Sequence, residues 1–257
     1  MMNRILAPDH REVLQQFAWS NTLLALDFDG TLAPIVADRE RAAMRPATRR
    51  LLSDAAELYP CVVISGRARA DTCRRLAGVP LRETIGNHGA ESIGSDSRAH
   101  AEVRRWRRLL ERRLADQRGV VIEDKGHSIA VHYRQSRSKK RARAAILSAL
   151  AELGPTRVVG GKLVINVMPQ GAPHKGLALV RAREQLGCDT AIYVGDDQTD
   201  EDVFALDQPG RLLTIRVGSA RSSLAAYSIR NQLEMDALLR ALIELRGGGR
   251  ARGRASA

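Results

Sequence analysis

Asp27 and Asp29 belong to the segment DFDGT, which directly follows the apolar run Leu23–Leu26. If that run is a strand, both carboxylates point to the same side and reach one place at the carboxyl edge of a sheet. Paired carboxylates repel each other, and a divalent cation that prefers hard oxygen ligands, such as Mg²⁺, relieves the repulsion. Asp-Gly is also a strong turn signal, so the alternative for this segment is a plain turn capped by Thr31.

Ser65 and Lys175 stand at positions where an anion could be bound. Ser65 follows the apolar run CVVI and precedes Gly66, which lets the backbone approach an anion closely. Lys175, in the segment PHKG, opens a predicted helix and could direct its ammonium at a phosphate as a compact charge. Each also has a simpler interpretation, because Ser-Gly often forms only a cap and a turn, and a lysine in a first helical turn is commonly solvated.

The segment GDDQTDED, residues 195–202, places five acidic residues within eight positions of a basic chain. Such crowding lowers stability unless a cation compensates it. The segment lacks the Gly and Glu positions of a calcium-binding EF-hand loop. Asp196 is the best candidate metal ligand because it is nearest to the end of the preceding apolar run. The alternative is acidic capping of the next helix by Thr199, Asp200 and Glu201.

Four apolar runs that end at polar or glycine turns predict the elements that position these residues. The runs are LLALDF, CVVIS, AIYVG and LLTIRVG. Helical periodicity occupies residues 46–58, 67–76, 174–186, 201–206 and 232–245. This alternation predicts an α/β fold with a Rossmann-like parallel-sheet core and crossover helices.

Residues 97–170 interrupt the alternation. They predict a helix at 101–115, the strands VVIEDKG and SIAVHYR, a helix at 138–153, and two strands around Gly160-Gly161. Two helices over an antiparallel sheet form an α+β module inserted into the parallel domain. The predicted organisation is a discontinuous core, 1–96 and 171–246, an inserted α+β domain, 97–170, and a disordered Gly/Arg-rich tail, 247–257.

Composition excludes several classes of protein. No apolar run approaches the roughly 20 residues that span a bilayer, and the start lacks a signal-peptide pattern, so we expect a soluble cytoplasmic protein without a membrane partner. The three cysteines, Cys61, Cys73 and Cys188, are too far apart to suggest a disulfide framework or a zinc site.

The net charge of +12 lies largely in RRWRRLLERR, SRSKKRAR and the tail. With only Trp106 and Tyr133 nearby, nucleic-acid binding is not favoured, and solvated helix faces explain the charge.

Taken together and in this order, the four segments resemble the four motifs of the haloacid dehalogenase superfamily. The resemblance extends to trehalose-6-phosphate phosphatases through LDFDGTLAPIV, VVISGR, GNHGAE, EDKGHSIAVHYR, HKGLAL and VGDDQTDED, which cover both the core and the insert. It implies a type C2 cap that closes over a phosphorylated sugar. It also implies catalytic roles for Asp27, Asp29, Ser65 and Lys175, and Mg²⁺ binding by Asp27, Asp29, Asp196 and Asp197.

The same resemblance implies a set of substrate contacts. The candidates are Gly66, Arg67, His88, Glu91, Glu123, Lys125, His132 and Asn166. One departure concerns the last predicted cap strand, where the family often has V-x-E-x-(R/K)-P and this chain has VINVMP, with Asn166 and Met168 in place of the acidic and basic residues. Asn166 can still hydrogen-bond a hydroxyl as donor and acceptor.

The activity implied is hydrolysis of trehalose 6-phosphate through an aspartyl-phosphate, the last step of trehalose biosynthesis, in functional pairing with a trehalose-phosphate synthase. Two alternatives stay open. One is a related capped phosphatase acting on sucrose phosphate or mannosyl-phosphoglycerate. The other, less favoured, is a basic nucleic-acid-binding protein with a vestigial site.

Overall fold

The structure, a computed structural model, describes residues 2–36, 38–92, 98–161 and 163–255. The chain forms two compact units, one of Met1–Gly89 with His174–Ala257 and the other of Ala90–Pro173. The second unit corresponds to the predicted insert but begins earlier and ends later than 97–170. Residues 93–97, which include the predicted boundary, lie outside the described residues.

The strands are numbered in chain order. They are β1 (Asn3–Arg4), β2 (Thr22–Leu26), β3 (Cys61–Ile64), β4 (Glu83–Ile85), β5 (Val121–Asp124), β6 (Ile129–His132), β7 (Thr156–Gly161), β8 (Val164–Pro169), β9 (Thr190–Gly195), β10 (Leu212–Val217) and β11 (Tyr227–Ile229).

The helices are numbered in the same way. They are α1 (Arg11–Trp19), α2 (Pro46–Leu58), α3 (Arg69–Arg75), α4 (Arg98–Arg113), α5 (Lys139–Leu150), α6 (Lys175–Gln185), α7 (Glu201–Phe204) and α8 (Met235–Ala255).

The first unit is built on a seven-stranded sheet in the order β1-β11-β10-β9-β2-β3-β4, with parallel pairings throughout. This confirms the predicted parallel-sheet core. Strand β2 lies between β3 and β9, so the chain segments that follow these three strands leave the same edge of the sheet side by side.

Alternation along β2 explains the layers on either side of this sheet. Leu24 and Leu26 pack in a core with α1, α2 and α8, whereas Leu23 and Ala25 pack in a second core with α6 and α7. Successive side chains of a strand point to opposite faces, so a fully apolar strand requires helices on both sides. Asp27 comes after Leu23 and Ala25 in this alternation. It therefore lies on the face of the sheet that α6 covers.

The second unit is an antiparallel sheet in the order β5-β6-β8-β7, with α4 and α5 packed on it. Trp106 of α4 and Ile146 of α5 are buried with Ile129 and Val131 of β6. The predicted α+β insert is thereby confirmed. The turn between its last two strands falls later than Gly160-Gly161, because β7 continues to Gly161 and Leu163 takes a left-handed conformation with φ of 63°.

The remaining differences from the sequence-based expectations lie at the chain ends and in short elements. Helix α8 continues to Ala255, through most of the segment 247–257 for which the sequence predicts disorder. Strands β1, β4 and β11 have only two or three residues each, too few for alternation to reveal them. Among the helices of the described ranges, none combines the length and apolar character that crossing a membrane requires.

Candidate active site

Residues from four segments meet at the carboxyl edge of the parallel sheet. Asp27 directly follows β2, Ser65 follows β3, and Asp196 follows β9. Lys175 is the first residue of α6, the helix that packs on the Asp27 side of the sheet. The structure therefore brings together the residues that the sequence predicts at strand ends and at a helix start.

Lys175 connects two of these segments through its ammonium group. Its Nζ donates to Oδ1 of Asp27 at 2.7 Å and to Oδ1 of Asp200 at 2.8 Å. All three side chains are buried, with Lys175 only 1% exposed. Burial alone would lower the pKa of Lys175, but the negative charges of Asp200 and Asp27 raise it well above its usual value. Lys175 is therefore a fixed positive charge beside Asp27.

Asp200 receives hydrogen bonds at both of its oxygens. The Tyr193 hydroxyl donates to Oδ1 at 2.6 Å, and the backbone N–H groups of Asp196 and Asp197 donate to Oδ2 at 2.8 and 2.9 Å. The sequence suggested Asp200 as a helix cap, but its side chain makes no capping hydrogen bond among the described residues. Its role in orienting Lys175 was not predicted from the sequence.

A cluster of carboxylates indicates where a cation could bind. Oxygens of Asp27, Asp196 and Asp200 lie within 4.8 Å of one another. Oδ1 of Asp196 is buried without a hydrogen-bond partner among the described residues. Burial, together with Asp200 and Asp197, raises the pKa of Asp196 to about 8, and burial raises the pKa of Asp27 despite Lys175.

These residues fit a divalent metal ion, because a positive ion would relieve the carboxylate repulsion and supply the missing partner of Asp196. Asp27 and Asp196 are the ligands that the geometry favours. Asp200 already accepts hydrogen bonds at both oxygens. It therefore orients Lys175 and the acidic loop rather than binding the ion.

Gly30 allows the first and last of the four segments to touch. It has φ of +88°, and a Cβ at this position would lie 2.1 Å from Oδ2 of Asp196. Only glycine combines this backbone conformation with so close an approach. The Asp-Gly pair of the first segment is thus a turn, as its sequence allows, and also the surface against which Asp196 packs.

Asp29 is held by an arginine. Arg67 donates from Nε to Oδ2 of Asp29 at 2.6 Å and from Nη2 to Oδ1 at 2.8 Å, a two-pronged ion pair. The Arg67 side chain is 1% exposed, whereas the Asp29 side chain is 37% exposed. Asp29 is thus fixed in orientation but open on one side. The predicted substrate-binding role of Arg67 stays a prediction, and its contact with Asp29 was not anticipated.

The loop that carries Ser65 is fixed by a strained turn. Asn87 and His88 have φ of 50° and 58°, in the left-handed region that residues other than glycine rarely occupy. Their N–H groups donate to the carbonyls of Arg67 and Ser65 at 2.7 and 2.9 Å. The His88 ring packs so closely on Gly66 that a Cβ there would lie 2.3 Å from it. His88 therefore supports this loop, and its predicted contact with substrate stays a prediction.

The side chains of Ser65 and Asp197 each accept hydrogen bonds from a residue two positions further along the chain. The Ser65 hydroxyl oxygen accepts from the backbone N–H of Arg67 at 3.1 Å, which leaves its hydrogen available as a donor. Oδ1 of Asp197 accepts from the N–H and hydroxyl of Thr199 at 2.7 and 2.6 Å. Asp197 thus stabilises the acidic loop, and its predicted role as a metal ligand stays a prediction.

Candidate sugar-contacting residues lie in the second unit. Glu123 pairs across the strands with Ala130, which in turn pairs with Asn166, so these three share a sheet face. His132 lies on the same face, and its Nε2 is 2.8 Å from Oε2 of Glu123. This is the face opposite to Ile129 and Val131, which pack under the helices. Lys125 follows β5, and Glu91 lies at the start of this unit.

The aromatic residues of the basic region do not offer exposed rings. Trp106 and Tyr133 are buried in the core of the second unit. Stacking on nucleic-acid bases requires accessible rings. Trp106 and Tyr133 therefore do not provide a surface on which nucleic-acid bases could stack.

A parallel α/β sheet that presents a buried Asp–Lys pair, a serine and an acidic cluster at its carboxyl edge defines a phosphatase of the haloacid dehalogenase type. Residues 25–229 match the trehalose-phosphatase family model, and the chain belongs to that family.

Individual relatives agree with this assignment. The chain is 29% identical over 259 residues to a probable trehalose-phosphate phosphatase of Arabidopsis thaliana, covering 91% of this chain and 70% of that protein. It is 33% identical over 198 residues to the trehalose-phosphate phosphatase of Mycobacterium tuberculosis, covering 71% of this chain and 50% of that protein. A solved trehalose-6-phosphate phosphatase related protein superimposes with a TM-score of 0.71 at 26% identity, covering 87% of this chain and 97% of that one.

Proposed function

We propose that this chain hydrolyses trehalose 6-phosphate to trehalose and phosphate, with Asp27 as the nucleophile. The observation that carries the proposal is the buried contact between Lys175 and Asp27, since a lysine fixed beside a carboxylate suits attack on a phosphoryl group. The substrate follows from family membership and from relatives that are described as trehalose-phosphate phosphatases.

In the first step, a carboxylate oxygen of Asp27 forms a bond to phosphorus while the bond from phosphorus to the sugar oxygen breaks. Lys175 and the Ser65 hydroxyl stabilise charge on the phosphoryl oxygens. Asp29 gives a proton to the departing sugar oxygen. The Asp29 side chain is exposed on one side, so the departing sugar oxygen could contact it there.

In the second step, water attacks the phosphorus of the aspartyl-phosphate and releases inorganic phosphate. Asp29, now without its proton, accepts one from that water and is ready for another cycle. The same carboxyl group thus serves first as acid and then as base. The two hydrogen bonds from Arg67 hold this carboxyl group in one orientation for both proton transfers.

We further propose Mg²⁺ as the metal, held by Asp27, Asp196 and the backbone carbonyl of Asp29. When bound, the ion supplies positive charge that lets a carboxylate approach a phosphate dianion. The orphaned, buried Oδ1 of Asp196 supports this assignment. The oxygen-only donor set favours a hard cation over zinc.

Sugar selectivity we assign to the polar sheet face of the second unit. Glu123, His132 and Asn166 present carboxylate, imidazole and amide groups, which suit sugar hydroxyls. Asn166 offers the neutral counterpart of the acidic residue that the family often has there. Functional pairing with a trehalose-phosphate synthase and a cytoplasmic location stay predictions.

The test is phosphate release from trehalose 6-phosphate, glucose 6-phosphate, sucrose 6-phosphate and mannosyl-phosphoglycerate, with and without Mg²⁺. We expect metal-dependent and selective release from trehalose 6-phosphate, abolished by Asp27→Asn. Preference for either of the last two substrates would assign the chain to a related capped phosphatase. Equal turnover of all of them would overturn the proposed specificity.

A further inference from the structure

Arg67 is held at both ends of its guanidinium group. Nε and Nη2 bind Asp29, as described above, and Nη1 donates to Oδ2 of Asp71 at 2.8 Å. A guanidinium group is planar and rigid, so a second carboxylate on the far side fixes its plane. The direction in which Arg67 presents its fork to Asp29 therefore depends on Asp71.

Asp71 is itself fixed by its surroundings. It lies in the first turn of α3, and its Oδ2 also accepts from Nε of Arg75 at 3.1 Å. Nη1 of Arg75 in turn donates to the carbonyls of Glu40 and Ala42 at 3.1 and 2.7 Å. Asp71 is thus tied to a helix and to the segment that follows the Asp27–Asp29 loop.

Asp71 is charged at neutral pH. Burial would raise its pKa, but hydrogen bonds from Arg75, Arg67 and Arg74 lower the pKa below its usual range. Alternating charges then run from Asp29 through Arg67 and Asp71 to Arg75. In this series only Asp29 has a side chain open enough to meet a substrate, since Arg67 is 1% exposed and Asp71 is 19% exposed.

We propose that Asp71 is a positioning residue for the proton-transfer step: through Arg67 it sets the place and orientation of the Asp29 carboxyl group. The inference rests on the proposed function, in which Asp29 protonates the departing sugar oxygen. Asp71 does not touch the reacting atoms, and its effect is transmitted by one side chain. A displaced Asp29 would slow proton donation without altering the Lys175–Asp27 contact.

Leaving-group chemistry separates this role from a purely structural one. A sugar oxygen is a poor leaving group and needs a proton, whereas p-nitrophenolate departs readily without one. For both esters, kcat/KM reports events up to phosphoryl transfer to Asp27. A residue that positions the acid therefore affects the sugar phosphate much more than the aryl phosphate.

The experiment compares kcat/KM of Asp71→Ala and Asp71→Asn on trehalose 6-phosphate and on p-nitrophenyl phosphate, in the full chain with Mg²⁺. For Asp71→Ala we expect a fall of about tenfold on the sugar phosphate and under about twofold on the aryl phosphate. Asp71→Asn keeps an oxygen where Arg67 donates, so it should recover part of the loss. If the alanine variant folds poorly, the Asp71→Asn variant alone still tests the proposal.

Arg74→Gln is the matched control. Arg74 donates to the other oxygen of Asp71 at 3.1 Å and is 75% exposed, so its removal disturbs Asp71 without disturbing the path to Arg67. We expect both substrates to keep their wild-type kcat/KM in this variant.

Equal losses on the two substrates, or none on either, in a folded Asp71 variant would overturn the inference and leave the proposed function standing. If the unchanged chain hydrolyses glucose 6-phosphate but not trehalose 6-phosphate, the proposed substrate fails, and the same comparison made with glucose 6-phosphate still decides the inference. An unchanged chain without phosphatase activity on any of these esters would overturn both.

Discussion

The hydroxyl of Tyr193 donates a hydrogen bond of 2.6 Å to the same oxygen of Asp200 that binds Lys175. Tyr193 belongs to β9, Asp200 follows that strand, and Lys175 opens α6. A strand, a loop and a helix are thereby joined at one buried carboxylate. The position of the lysine beside Asp27 depends on this arrangement.

Replacing Tyr193 by phenylalanine removes one buried hydrogen bond of that arrangement. We expect Tyr193→Phe to lower the free energy of unfolding by about 1 kcal/mol and to reduce kcat severalfold, since Asp200 and Lys175 gain freedom. Tyr59→Phe is the matched control, because its buried hydroxyl donates at 2.8 Å to the carbonyl of Leu242, away from the site. Urea unfolding and kcat should show similar stability losses but reduced activity only for Tyr193→Phe.

Replacing Asp200 by asparagine tests the carboxylate itself. The variant removes the negative charge on which Lys175 relies, so the ammonium is no longer fixed between two carboxylates. We expect kcat/KM for the phosphorylated sugar to fall by about a hundredfold, because preorganised charge is lost at the phosphoryl group. Wild-type activity in a folded Asp200→Asn protein would show that Lys175 does not need this partner.

Gly30→Ala tests the close approach of the first segment to Asp196. The added Cβ would lie 2.1 Å from Oδ2 of Asp196, so that carboxylate must move. Gly78→Ala is the control, because Gly78 has a similar φ of +85° and a Cβ there would have no described atom within 4 Å.

Both glycine variants should lose about 1 kcal/mol or more of stability from their left-handed backbones, measured by thermal unfolding. We expect only Gly30→Ala to require more Mg²⁺ for half-maximal activity. An equal shift in metal requirement for both variants would contradict a role for the Gly30–Asp196 contact.

Metal binding has a readout that does not involve catalysis. An ion that binds only the folded chain raises its stability, by about 2.7 kcal/mol at a hundredfold excess over Kd. We therefore expect Mg²⁺ to raise the thermal unfolding midpoint, and chelation by EDTA to reverse the change. Asp196→Asn should abolish the rise. Asp197→Asn should be less stable because Thr199 loses its carboxylate partner, yet should keep the rise.

If Asp197→Asn rather than Asp196→Asn abolished the Mg²⁺ effect, the assignment of the metal ligands would be reversed. Asp197, which the resemblance suggested alongside Asp196, would then be the ligand from this segment.

The positions of Asp27, Ser65 and Asp196 at the carboxyl edge of the sheet could be predicted from the sequence, because they depend on the short apolar runs directly before them. The apolar runs before Asp27, Ser65 and Asp196 have the length of buried strands, and the ends of adjacent parallel strands meet at one edge whatever the intervening chain does. The structure adds that these three strands are neighbours, which places the side chains that follow them side by side. Three of the four anion-site segments therefore follow from pattern alone.

The roles of Asp200 and Arg67 could not be predicted in the same way. Asp200 lies 25 positions from Lys175, and Arg67 lies 38 positions from Asp29. Locally, an aspartate before a helix predicts a cap, and an arginine after Ser-Gly predicts an anion contact. Tertiary packing gave both residues different partners. The partner of a charged side chain is the opposite charge that lies nearest to it in the folded chain. The spacing of residues in the sequence does not show which charge that is.

The most direct test of the account is to look for phosphate covalently attached to Asp27. The enzyme would be mixed with trehalose 6-phosphate and Mg²⁺, quenched in acid within the first turnover, and digested for mass spectrometry. We predict a phosphorylated aspartate in the peptide that contains Asp27, absent in Asp27→Asn. Phosphate on another residue, or full activity in Asp27→Asn, would contradict Asp27 as the nucleophile.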